Sequence, residues 1–239
     1  IGDDGNFWTA ARDIASGAFK PPIFAVGVYT FPVLSAYIQA WALKLFGIDL
    51  WGWRFSSVLS GVATILPLYL LAREAFNRKV AIASSIALIF SPYFLAFSRL
   101  GYISIQALFI TSLALYWLYI GLNRDSHLYL FLSGCASGLG FYTFYSARVA
   151  LLICITFIGF MWLGRKIKFR QAAFALTLLG IGTLLVASPY LVYGFNQDAS
   201  GMTYKVFESA FFNTFNGQLF FSDKELFTIA PPFQINGNT

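Results

Sequence analysis

The sequence predicts an all-α fold: a polytopic transmembrane helix bundle with juxtamembrane amphipathic helices. Three observations carry this. The 239 residues are 58% hydrophobic and only 11% charged, where soluble domains carry roughly a quarter charged residues. Mean hydropathy is +0.69, too high for a chain that must cover one buried core with polar surface. Uncharged runs close to the ~20 residues of a spanning helix recur along the chain.

Six such runs stand out, at 55–72, 80–98, 100–123, 128–147, 149–164 and 171–197, the last spanning to about residue 193. Backbone amides in lipid are satisfied only within helices or a closed barrel. The runs are continuous and lack period-two alternation, so helices are expected. Aromatic residues make up 19% of the chain, and its Tyr and Trp suit an interface where the ring is in apolar surroundings and the polar tip stays wet.

The charges orient these runs. Arg73, Arg78 and Lys79 share one loop, Arg124 lies in the next but one, and Arg165, Lys166, Lys168 and Arg170 share a third. The intervening turns carry only Arg99 and Arg148. By the positive-inside rule the first set faces the cytoplasm. Arg99, Arg148, the residues before Arg54 and the tail after Tyr193 then face outward. The net charge of +6 is read as orientation. Nucleic acid is not expected as a partner, because no basic run with stacking aromatics lies outside the apolar segments.

Segment 21–43 is also uncharged and admits two readings. As a span it leaves Asp3 and Asp4 in the cytoplasm. As an interfacial helix it places them outside with Arg99 and Arg148. Its prolines, Tyr29, Thr30, Tyr37, Gln39 and Trp41, followed by Trp51 and Trp53, favour the interface. The chain then divides into an external loop with juxtamembrane helices (1–53), a six-helix transmembrane module (54–193) and a second external loop (194–239) that starts a truncated C-terminal part. Tyr204, Phe207, Phe211 and Phe212 in that loop suit another interfacial helix. A start without Met and a polar end suggest a piece of something longer.

Few residues suit chemistry. Asp3 and Asp4 precede Phe7, Trp8, Ala11 and Ile14, one face of a short amphipathic helix that Gly17 closes. Adjacent acids at a membrane surface suit a divalent cation or a general base; a helix N-cap explains them as well. Arg99 and Arg148 sit on the side the charge bias disfavours. An interfacial Arg can snorkel, and its planar fork also fits a phosphate. Gly134, Gly138 and Gly140 have the spacing of closely packed helices. Pro67, Pro92 and Pro189 are expected to kink or end helices. Cys135 and Cys154 read as small hydrophobes and His127 as a loop residue, with no metal-ligand spacing around them.

In order, the chain carries Asp3-Asp4, Ala15-Ser16-Gly17, Tyr29-Thr30-Phe31-Pro32, Leu45-Phe46-Gly47, Trp53-Arg54, Ser91-Pro92, Phe97-Ser98-Arg99, Gly138-Leu139-Gly140 and Ser188-Pro189-Tyr190. This set resembles glycosyltransferase family 39 and its relatives, the protein O-mannosyltransferases and lipid A aminoarabinose transferases of the GT-C fold, to about Tyr193. The resemblance implies a first external loop that opens on the acidic pair and holds two helices along the membrane. It implies a transmembrane helix before Ile1 and more after Thr239. The implied reaction moves a sugar from a polyprenyl-phosphate donor to a protein, lipid or glycan acceptor at the outer face of the inner or plasma membrane. Asp3 and Asp4 would be catalytic, as base or as ligands of a divalent cation such as Mg or Mn. Arg99, Arg148 and Arg54 would bind the lipid phosphate, with Tyr102, Tyr142 and Tyr145 beside the substrate.

The chain departs from the pattern at two places. Relatives place an acid near the Ser-Arg motif, where Ser104 and Gln106 stand here. Aminoarabinose transferases have a Lys before the Pro, where Thr30-Phe31 stand here. These departures leave the sugar and the metal requirement open. A lipid flippase or secondary transporter is a competing reading, but transporters hold ionisable or broken-helix sites near the midplane. No Asp, Glu, Lys, Arg or His lies inside the six runs, which favours chemistry at the surface. A non-catalytic scaffold is the third reading. The topology predicts that single cysteines placed beside Asp3 and beside Arg99 react with an impermeant thiol reagent from the same, external face; labelling from opposite faces overturns it.

Overall fold

A computed structural model describes residues 2–23 and 33–196, with side chains from Phe7 onward except those of Tyr145 and of residues after Val192. The described residues form nine α-helices and no strand: α1 (Gly2–Ser16), α2 (Leu34–Phe46), α3 (Leu50–Ala75), α4 (Arg78–Ile89), α5 (Pro92–Arg99), α6 (Ser104–Asn123), α7 (His127–Leu139), α8 (Val149–Leu163) and α9 (Phe169–Asn196). Two 3-10 turns, Gly140–Tyr142 and Tyr145–Arg148, join α7 to α8. Tyr29 to Pro32 and the tail with Tyr204, Phe207, Phe211 and Phe212 lie outside the described residues.

Four helical segments are long and apolar enough to cross a membrane: Leu50–Ala75, Ser104–Asn123, Ser146–Leu163 and Phe169–Val192. α4 and α5 make a fifth if the pair, bent by 60°, counts as one span. The predicted run at 80–98 breaks there because proline has no amide hydrogen and disfavours helix in the residue before it. Ser91 is accordingly extended and Pro92 starts the next helix. α3 and α9 instead continue through Pro67 and Pro189. The run at 128–147 also differs from expectation. α7 has 13 residues, about 20 Å against a hydrocarbon core of about 30 Å. Beyond Gly140 the chain winds into 3-10 turns around an extended Thr143. By length, then, six spans become four or five, with α7 a short helix. α2, also of 13 residues, is equally short of a span.

Local chemistry sets most boundaries. Asp49 caps α3 by accepting from the Gly52 amide at 2.7 Å, and Asn77 caps α4 by accepting from Val80 at 3.0 Å. Gly17 follows α1 at φ +80°, a left-handed conformation that favours glycine. Phe7, Ala11 and Ile14 form the buried face of α1, as the spacing predicted.

The bundle core gathers Leu118, Leu130, Cys154, Ile158 and Leu179 from α6, α7, α8 and α9. α7 and α9 touch backbone to backbone through glycine. A Cβ on Gly182 would lie 2.5 Å from the Phe131 carbonyl oxygen, and one on Gly138 would lie 2.8 Å from that of Thr183. Thr183 Oγ1 donates to the Gly134 carbonyl across the same seam at 3.1 Å. The small-residue reading of Gly134 and Gly138 thus acquires its partner, α9.

Cross-links define two ends. Ser57 Oγ donates to the Tyr102 carbonyl at 3.1 Å, joining the starts of α3 and α6. Arg124 pairs with Glu74 at 2.7 Å, joining the far ends of those helices. Gln171 Nε2 donates to the Leu122 carbonyl at 3.2 Å and brings the start of α9 to that far end. Arg73, Arg78, Arg124 and Arg170 therefore share one end, and Arg54, Arg99 and Arg148 the other.

A methyl group at Gly182 must push α9 off α7. Gly182→Ala is expected to lower stability by about 1–3 kcal/mol, read by thermal unfolding in detergent. Gly159→Ala on α8, whose added methyl meets nothing within 4 Å, is the control and is expected to leave stability unchanged; equal losses would contradict the seam.

Candidate functional site

The end opposite the Arg124–Glu74 pair is built in two connected halves. The first centres on the turn between α5 and α6. Gly101 stands there at φ +80°, and a Cβ on it would lie 2.9 Å from the Trp53 ring. Glycine is thus required twice, for conformation and for space. Gln39 of α2, fully buried, donates from Nε2 to the Gly101 carbonyl at 2.7 Å. Trp53, Leu43, Ile103, Phe7 and Ala11 pack into one cluster beside it, with Trp8 edge-on to Trp53 at 5.8 Å. α1 and α2 are therefore seated on the bundle end.

The second half centres on Arg148, which precedes α8. Its guanidinium lies 5.7 Å from the Phe141 ring centre and 5.5 Å from that of Tyr190. Its Nη2 donates to the Tyr190 hydroxyl at 2.9 Å. Arg148 is only 8% exposed. A cation gains nothing from a helix N-terminus, which carries partial positive charge. The two aromatic rings and the Tyr190 hydroxyl contribute to holding it there. Leu34, the first residue of α2, packs against Tyr142 and Tyr190, so α2 touches both halves.

The predicted site residues fall as follows. Asp3 and Asp4 lie in the first turn of α1, where a helix N-terminus favours carboxylates; their side chains are outside the described part. Arg54 and Arg99 are exposed. Tyr102 is half-buried, with its ring edge-on to Phe97 at 5.9 Å. Tyr142 is buried and its hydroxyl donates to the Val186 carbonyl at 2.7 Å, a tie within the scaffold. Tyr145 belongs to a 3-10 turn, and its side chain is outside the described part. Among the described residues no three His, Cys, Asp or Glu gather as a metal set.

Other polar groups at this end went unpredicted. Ser35 Oγ, Gln39 Oε1, Trp53 Nε1, Ser104 Oγ, Gln106 Oε1 and Thr143 Oγ1 are buried with no hydrogen-bond partner among the described residues. Each such atom costs about 1–3 kcal/mol, so a cluster of them calls for a reason. Hydroxyls farther along the bundle behave differently. Those of Ser60, Thr64, Ser85, Thr111 and Thr156 each donate to a backbone carbonyl four residues back. A sequence signal existed for the two glutamines, each an amide inside an otherwise apolar run.

Fold and site together define a class: a multi-pass helical membrane protein in which buried polar groups without a partner among the described residues collect at one end of the bundle. The chain belongs to the dolichyl-phosphate-mannose-protein mannosyltransferase family, whose pattern matches residues 31–193. The match begins after Asp3 and Asp4. An undecaprenyl phosphate-alpha-4-amino-4-deoxy-L-arabinose arabinosyl transferase of Pseudomonas aeruginosa is 28% identical over 181 residues, covering 72% of this chain and 31% of that protein. An uncharacterized protein of Aquifex aeolicus is 30% identical over 137 residues, 56% of this chain and 28% of the relative. YkcB of Bacillus subtilis, a mannosyltransferase by name, is 26% identical over 140 residues, 58% of this chain and 18% of its own length. The chain thus spans less than a third of the length of the curated relatives it matches. No solved structure matches it.

The contacts of Arg148 predict an order of effects. Tyr190→Phe removes one hydrogen bond to a charged donor and is expected to cost about 1.5–3 kcal/mol. Arg148→Ala, which also removes the stacking on both rings, is expected to cost more. Thermal melts of the purified protein check this; a smaller loss for Arg148→Ala would contradict the stacked geometry.

Proposed function

We propose that this chain is part of an integral membrane glycosyltransferase that moves a sugar from a polyprenyl-phosphate donor to an acceptor at the outer face. The observation that carries the reading is the gathering, at one end of the bundle, of Arg148, Arg99 and buried polar atoms without a partner among the described residues, in a chain of this family. A donor of this kind has an apolar tail that fits lipid and a sugar-phosphate that rests at the surface. The charge distribution supports an outward-facing site, since the turns at the opposite end hold eight basic residues and the intervening turns at this end only Arg99 and Arg148.

In this reading Asp3 or Asp4 takes the proton of the acceptor hydroxyl as that oxygen attacks the anomeric carbon. The bond from that carbon to the phosphate oxygen breaks, and the lipid phosphate leaves with its electron pair. Arg148 or Arg99 offsets the charge that builds on this phosphate. Arg148 suits the task because its stacked, buried guanidinium is already in place and needs no reorganisation when the charge develops. Arg54 and Tyr102 belong to the same rim. A divalent cation, where one takes part, would be held by Asp3 and Asp4 and would polarise the phosphate. The natural acceptor would be a protein, lipid or glycan exposed at that face.

The test is transfer by the full-length protein from a radiolabelled polyprenyl-phosphate sugar. Asp3→Asn or Asp4→Asn is expected to lower the rate by at least on the order of 100-fold while membrane expression is unchanged. Undiminished activity in both single variants would sink the assignment.

A further inference from the structure

We infer that Tyr190 is a positioning residue: its hydroxyl sets the rotation of the Arg148 guanidinium for the phosphate of the lipid donor. The inference rests on the transferase reading above. Arg148 and Tyr190 are 8% and 2% exposed. The rings of Phe141 and Tyr190 stand 5.7 and 5.5 Å from the guanidinium carbon. Attraction to a ring face acts on the charge as a whole. It holds the group near the rings without fixing which N–H points where. A hydrogen bond is directional. The one from Nη2 to the Tyr190 hydroxyl, at 2.9 Å, supplies that direction. Direction matters for this ligand, because a guanidinium grips phosphate with two parallel N–H bonds.

The local build of α9 keeps that hydroxyl in place. Pro189 has no amide hydrogen, so the Leu185 carbonyl four residues back loses its helical donor. The Ser188 hydroxyl donates to that carbonyl at 3.1 Å, and α9 runs on through the proline. The next carbonyl, of Val186, accepts from the Tyr142 hydroxyl at 2.7 Å. The Tyr142 ring meets the Tyr190 ring edge-on at 5.8 Å, and Leu34 of α2 packs on the same pair. The turn of α9 that carries Tyr190 is therefore tied to the α7–α8 connection. That connection also carries Arg148, so both partners of the bond share one scaffold. Tyr190→Phe keeps the ring and removes only the hydroxyl. The guanidinium then stays at the rings and loses its fixed rotation. A small loss of aim is costly where two bonds must form at once.

The test uses the full-length protein in micelles and two radiolabelled probes, undecaprenyl phosphate and undecaprenol, which differ only in the phosphate. The wild type is expected to bind the phosphate at least about 30-fold more tightly. Arg148→Ala is expected to remove most of that preference, and Tyr190→Phe to lower it about tenfold. Both bind undecaprenol as the wild type does, which also reports that they fold. In the Arg148→Ala background, Tyr190→Phe is expected to have no further effect, because it acts through the arginine. Asn77→Ala removes the cap of α4 at the far end; it is expected to destabilise the protein and leave both affinities unchanged. An unchanged preference in Tyr190→Phe or in Arg148→Ala overturns the inference and leaves the lipid-phosphate reading standing. So does an equal loss from Tyr190→Phe with and without Arg148. Loss of undecaprenol binding by Tyr190→Phe, or loss of the preference in Asn77→Ala, makes the tyrosine structural and overturns it too. Equal wild-type binding of the two probes removes both the inference and the lipid-phosphate reading.

Discussion

A hydroxyl inside hydrocarbon has one inexpensive partner, the carbonyl a turn earlier in its own helix. Most of this bundle follows that rule. Ser60 bonds back to Ser56, Thr64 to Ser60, Thr111 to Ala107 and Thr177 to Ala173. Where a hydroxyl does reach across, as from Ser133 to Ala114 or Thr183 to Gly134, it locks two helices at close range. Polar groups are therefore satisfied within their own helices over most of the length, the exposed Thr177 included. The rule lapses at one end only among the described residues. This contrast gives the buried amides and hydroxyls there their significance, because the same residue types are satisfied elsewhere in the same protein.

The Gly101 turn is the mechanical centre of that end. Its carbonyl takes the Gln39 amide, its missing side chain makes room for Trp53, and the next carbonyl takes Ser57. Helices α2, α3 and α6 are thus registered against one short loop. Arg99 precedes that loop by two residues, so its placement follows from a loop fixed on three sides. Arg148 depends on a separate device, the pair of aromatic rings from the α7–α8 connection and α9.

Much of the fold was legible in the sequence because the membrane imposes a coarse rule on it. Apolar run length and the alternation of basic loops located the helices and separated Arg99 and Arg148 from the other basic loops. The face of α1 followed from Phe7, Ala11 and Ile14. Composition could not show where an apolar run stops being helix. The break at Ser91–Pro92 and the 3-10 turns after Leu139 both lie inside stretches that hydropathy reads as continuous. The site was legible in part. Charge singled out Arg148 but not its stacking on Tyr190. Tyr142 drew notice as a polar aromatic, yet its hydroxyl serves the scaffold. Gln39, Gln106 and Thr143 are uncharged, and only their unsatisfied burial, which needs three dimensions, sets them apart.

The brevity of α7 has a further consequence. A helix of about 20 Å beside partners long enough to span leaves its side of the bundle thinner than the surrounding bilayer. Irregular backbone at membrane depth persists only when covered by protein or facing water, and Tyr142, Thr143, Ala147 and Arg148 are indeed buried. Lipid that meets that wall must thin or tilt to match it. The short side of the bundle and the buried Arg148 thus belong to the same end.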